Sequence, residues 1–84
     1  MTDAEYNVLN RIARQTKMDC WFSLYTDEYG NDYVYDIEYR VPLTLQNGIS
    51  QLNEGIVPDL LDLTAEEIAV YNNLLKELGI EEVM

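Results

Sequence analysis

Cys20-Trp21-Phe22-Ser23-Leu24-Tyr25-Thr26, then Asp27-Glu28-Tyr29-Gly30-Asn31-Asp32, then Tyr33-Val34-Tyr35-Asp36-Ile37-Glu38-Tyr39-Arg40-Val41: this stretch decides the fold. Its first and third parts are rich in aromatic and β-branched residues and alternate in polarity, as strands do. The middle part is dense in residues that favour turns. The whole predicts an antiparallel β-hairpin with strands over 20–26 and 33–41. On the second strand, Tyr33, Tyr35, Ile37, Tyr39 and Val41 share one face, and Val34, Asp36, Glu38 and Arg40 the other. On the first strand Phe22 and Leu24 suit a core face, which leaves Trp21, Ser23 and Tyr25 pointing outward. Pro42 ends the second strand, because proline has no N–H to give a ladder.

Helices flank the hairpin. Thr2 and Glu5 are spaced as a capping box, and Val8, Leu9, Ile12, Ala13 and Thr16 then fall on one helical face. A helix over 3–18 is expected, with Arg11, Arg14 and Lys17 on its opposite arc. In Thr44–Glu54 two patterns compete. Leu45, Ile49 and Leu52 recur at helical spacing, with Thr44 placed to cap and Gly55 to terminate. Asn47-Gly48 is also a hairpin-turn signal. The helix is the preferred reading, since it leaves Gln46, Ser50 and Gln51 outside. A loop around Pro58 follows. Thr64 and Glu67 form a second capping box, Ile68, Tyr71, Leu74, Leu75 and Leu78 make an apolar stripe, and Gly79 with Ile80 suits a Schellman closure. The expected fold class is therefore α+β: one domain over residues 1–84, in the order helix, β-hairpin, short helix, helix. The helices are expected to pack on one face of a two-stranded antiparallel sheet.

Composition narrows function by exclusion. The 84 residues contain 16 Asp and Glu against 5 Lys and Arg, for a net charge of −11. Residues 1–18 are net +1 and residues 19–41 net −5, so the acid is not a tail on a neutral body. Such a surface repels phosphates, and affinity for nucleic acid comes mainly from cationic side chains. Direct nucleic-acid binding is not expected, and a helix-turn-helix role for the last helix has the wrong sign of charge for a groove. There is no His and one Cys, which removes a His-dependent triad and thiolate zinc sites. Asp27, Asn31 and Asp32 around Gly30 do not follow the alternate-ligand spacing of a calcium loop. Asp36 and Glu38, two apart on a strand, would point the same way, but so small a chain shows no sign of a substrate cleft. No enzyme activity, metal or cofactor is expected. Cys20 cannot form an intramolecular disulfide, and no secretory signal or membrane span is apparent. These features suit the cytoplasm.

A compact acidic domain of this kind is best suited to binding a protein with a basic surface. The candidate contact residues are Trp21, Tyr25, Asp27, Glu28, Asp32, Asp36 and Glu38, drawn from the outward hairpin face and its acidic turn. Two modes are open. In the first, the carboxylates imitate a line of phosphates and block a nucleic-acid-binding enzyme. In size and charge, though in no motif, the chain resembles the small acidic proteins of phages and mobile elements that inhibit CRISPR or restriction enzymes. In the second, the aromatic hairpin face docks a partner as an adaptor. A homodimer joined through hairpin edges is a third possibility.

Overall fold

A computed structural model describes all 84 residues. Helix α1 spans Asp3–Gln15. Its first turn closes as a capping box, with the Thr2 hydroxyl accepting from the Glu5 N–H and the Glu5 carboxylate accepting from the Thr2 N–H. It ends earlier than its apolar periodicity predicts. The Thr16 hydroxyl donates back to the carbonyls of Ile12 and Ala13, and Lys17 takes a left-handed conformation with φ of 59°. A 3-10 turn over Met18–Cys20 follows, so Cys20 precedes the sheet instead of opening it.

The sheet has three strands, not two. Strands β1 (Phe22–Thr26), β2 (Asp32–Asp36) and β3 (Val41–Thr44) pair in that order, each antiparallel to the next. The expected strand over 33–41 is broken after Asp36 by a four-residue turn. The Asp36 carboxylate accepts from the Tyr39 N–H at 3.0 Å, and Arg40, with φ of 56°, reverses the chain. Val41 then returns opposite Asp36 and Leu43 opposite Val34. Pro42 therefore lies inside a strand, at the sheet's edge, where its missing N–H breaks no ladder bond.

Helix α2 (Leu45–Glu54) starts directly from β3, and Thr44 caps it by accepting from the Asn47 N–H. Helix α3 (Ala65–Leu78) opens on the second capping box. It closes in a Schellman motif, where the Ile80 N–H donates to the Leu75 carbonyl and the Gly79 N–H to that of Lys76. Gly79 holds φ of 70°, which a Cβ would penalise.

The apolar stripes of the three helices converge with Phe22 and Val34 into one core. Helix α2 lies on β2 and β3, and α1 reaches β1. Helix α3 packs along α1 instead of on the sheet, a difference from the expected arrangement. It is tied to α2 by the buried Tyr71 hydroxyl, which donates to Asn53 Oδ1 at 2.8 Å. Asn53 in turn donates to the Glu81 carbonyl.

The sheet's inward face is also the reverse of the one expected for β2. Val34 is fully buried and Asp36 keeps only 6% of its surface. They oppose Leu24 and Phe22 across β1. Alternation determines which residues share a face but not which face turns inward. Gly48 on α2 decides it: a Cβ there would overlap the Val34 side chain, so helix backbone and strand meet directly.

Candidate protein-docking face

The face of the sheet turned away from the helices is built from Ser23 and Tyr25 on β1, Tyr33 and Tyr35 on β2, and Pro42 and Thr44 on β3. Tyr25 lies opposite Tyr33, and their rings stack at 5.7 Å and 20°. The Tyr35 ring meets Tyr25 edge-on at 6.0 Å. Both arrangements suit the ring quadrupole. Tyr33 and Tyr35 are half-buried, while Tyr25 retains 48% of its surface. Beyond the two ends of the sheet, Tyr29 and Tyr39 are more exposed still, at 82% and 78%. Tyrosine brings large contact area with few rotors to freeze and a hydroxyl that tolerates water.

The seven residues singled out from the sequence divide between different surroundings. Tyr25 lies on the exposed face, on the edge strand β1. Trp21 precedes β1, half-buried, with its ring edge-on to Phe22 at 5.5 Å and packed against the core. Asp27 and Glu28 sit in the β1–β2 turn, and Asp32 begins β2. Asp36 is a correction: it is buried on the core face, where it caps the second turn, and is not part of any outward surface. Glu38 is exposed in that second turn. The acids do not form one line. Four residues of extended chain separate Asp32 from Asp36, roughly 13 Å, so Glu38 stands at the opposite end of the strand from the first turn. Asp36 and Glu38 do not form a carboxylate pair either.

Two of the turn acids are occupied by the fold itself. Asp27 accepts from the N–H groups of Asn31 and Tyr29 and from the Asn31 side chain. These bonds, that from the Asn31 backbone foremost, hold its carboxyl below the usual carboxylate range. Asp32 accepts from the terminal ammonium of Met1 at 2.6 Å and from the Thr26 hydroxyl at 2.7 Å, and it too is lowered. Glu28 and Glu38 carry no such bonds.

Over the molecule as a whole the negative charge is largely unpaired. Of the 16 acidic side chains, Asp32 has the terminal ammonium and Glu67 has Arg11, at 3.0 Å. The remaining 14 have no cation within ion-pair distance. No three acidic or Cys side chains converge as metal ligands would. The largest concavity, about 700 Å³, lies between α2 and residues 79–83. It is an open polar trough containing Ser50, Glu54, Glu81 and Glu82.

Tyr35, as an outward residue, escapes sequence reasoning. One signal was present: seven Tyr against one Phe favour a face on which hydroxyls meet water. Comparison with protein-family models, curated proteins and solved structures returned no match for this chain. No helix is long and apolar enough to cross a membrane.

Proposed function

We propose that this chain is a non-catalytic binding domain that docks a basic protein through the tyrosine face of its sheet. One observation carries the reading: Tyr25, Tyr33 and Tyr35 pack on one another on a face that no helix covers. Tyrosines of this kind serve as interface anchors, each worth on the order of 2 kcal/mol or more when it becomes fully buried. The 14 unpaired acids set the sign of the partner and speed its approach.

The unpaired charge also favours a second reading. The partner's basic surface is one that otherwise holds nucleic acid, and the domain acts as a competitive inhibitor. Burial of Asp36 and the internal bonds of Asp27 and Asp32 weaken the version in which a row of hairpin carboxylates imitates phosphates. Contact through the tyrosines, with charge acting at longer range, fits both readings.

The test is affinity capture from nuclease-treated bacterial lysate with the unaltered chain and with Tyr25→Ser/Tyr35→Ser. The expected result is a basic protein that the variant holds at least tenfold more weakly, a loss of about 1.4 kcal/mol or more. A partner held equally by both proteins would overturn docking through this face. Nucleic acid added to the captured complex separates the two readings. Displacement of the partner supports competition, and retention supports an adaptor.

A further inference from the structure

The two edges of the sheet are not equivalent. In an antiparallel pair, hydrogen-bonded and non-bonded residue pairs alternate. The Ile37 N–H donates to the Trp21 carbonyl at 2.8 Å, and the Asp27 N–H to that of Asn31 at 2.9 Å. Ser23 and Tyr25 therefore direct their backbone groups to β2, while Phe22, Leu24 and Thr26 direct theirs away from it. The Thr26 hydroxyl reaching the carboxylate of Asp32, its partner in register, fits the closer spacing of a non-bonded pair. Since β1 is an edge strand, these groups face away from the sheet and no other element hydrogen-bonds them; Phe22 is buried, so the accessible ones belong to Leu24 and Thr26.

Edge strands are normally protected by Pro, Lys, bulges or a covering segment. The opposite edge has such protection: Pro42 offers no N–H there, and Thr44 is already committed to capping α2. Strand β1, Phe22-Ser23-Leu24-Tyr25-Thr26, has no Pro, no charge and an unbroken register with β2. Acid brackets it. Asp19 is exposed just before it, and Asp27 and Glu28 follow it. A second copy running antiparallel would bring Asp27 and Glu28 of one chain towards Asp19 of the other, between two molecules of charge −11. Self-pairing is therefore opposed. An extended segment with Lys or Arg at both ends meets acid at both ends.

We propose that an extended, basic-flanked segment of the protein partner adds to β1 as a fourth strand. Its main chain bonds Leu24 and Thr26, and its outward side chains extend the tyrosine face beside Tyr25. An arginine there stacks on the Tyr25 ring. This proposal rests on the reading of the chain as a binder of basic proteins. It adds the mode of attachment, main-chain pairing with specificity from alternate side chains.

The probe is a nine-residue peptide, Lys-Arg-Val-Thr-Val-Thr-Val-Lys-Arg with blocked ends, used with two analogues N-methylated at alternate residues, one for each edge of the peptide strand. Amide exchange of the free protein should be fast at Leu24 and Thr26 and slow at Ser23 and Tyr25. The peptide should slow exchange at the first two by at least about tenfold. The analogue methylated on the pairing edge should bind at least about tenfold more weakly, at unchanged charge. Equal binding by all three peptides, without new protection at Leu24 and Thr26, would overturn strand addition and leave the tyrosine-face reading intact. No binding at millimolar peptide would also overturn it, and the capture experiment then judges the docking reading separately. Protection of the same two amides in free protein, rising with its concentration, would assign the edge to a second copy and likewise overturn the proposal.

Discussion

On the inner face of the sheet, Val34 lies against the bare backbone of Gly48 with no accessible surface. On the outer face, one residue along the same strand in either direction, Tyr33 and Tyr35 pack near Tyr25, which keeps 48% of its surface in water. The large side chains of β2 are outside, and the smaller Val34 and Asp36 are inside. A helix packed this close leaves no room for a tyrosine beneath it. The difference teaches that side-chain size on this strand follows the distance to the neighbouring layer more than hydropathy does.

The sharpest way to break that contrast is Gly48→Val. Overpacking of a tight core commonly costs about 1–3 kcal/mol. With a branched side chain driven into Val34, we expect a loss at or above about 3 kcal/mol, read from urea unfolding. A loss below about 1 kcal/mol would mean that α2 and the sheet separate easily. Tyr71→Phe comes next, testing the one tyrosine that belongs to the interior. It leaves Asn53 Oδ1 without its donor, at an expected cost of about 1–2 kcal/mol.

Tyr71 also predicts an alkaline limb. Burial pushes its phenol well above the ordinary tyrosine range, so the unfolded chain loses this proton at lower pH than the folded one does. Its contribution is intact below about pH 10 and is lost progressively as pH rises above it. Tyr71→Phe should flatten that decline in a series of unfolding curves, and an unchanged slope would remove Tyr71 as its source.

Tyr25→Thr should do the opposite of Gly48→Val. It removes two ring contacts from a wet surface, with an expected stability cost under about 1 kcal/mol, yet it should weaken partner capture by more than about tenfold. A cost above about 2 kcal/mol would show the outer face to be structural. The smallest effect is a gain. Arg40→Gly relieves a left-handed residue in the turn that sets the register of β3, and thermal unfolding should show about 0.5 kcal/mol of added stability.

Much of the fold was legible where side chains act on their own neighbourhood. Thr2 with Glu5, Thr64 with Glu67, Thr44 before Leu45, and Gly79 all do locally what their spacing implies. The failures arise where longer-range contacts or unusual residues decide. Ile37-Glu38-Tyr39-Arg40 contains no Gly, Pro, Asn or Asp, so nothing in it reads as a turn. The turn is made by the Asp36 carboxylate from outside the segment and by an arginine in a conformation that favours glycine. Lys17 hid the end of α1 in the same way. The site suffered from this break: with the chain reversing at residue 37, Asp36 serves the interior, and the aromatic residues beside it turn outward. Tyr25 lies on the outer face and Asp27 and Glu28 in the first turn, as their spacing implies, because these placements depend only on the first hairpin.

The last stretch of chain is gripped in an unusual way. Gln46 donates to the Leu78 carbonyl, Asn53 to that of Glu81 and Asn72 to that of Met84. An amide hand that holds a carbonyl is indifferent to which amino acid owns it. Ile80 and Met84 also pack on the core, but Glu81, Glu82 and Val83 are exposed. These three positions can be rewritten with little penalty. A cysteine, a dye or a surface tether placed there would sit beside α2, away from the tyrosines, and present the opposite side of the molecule to solution.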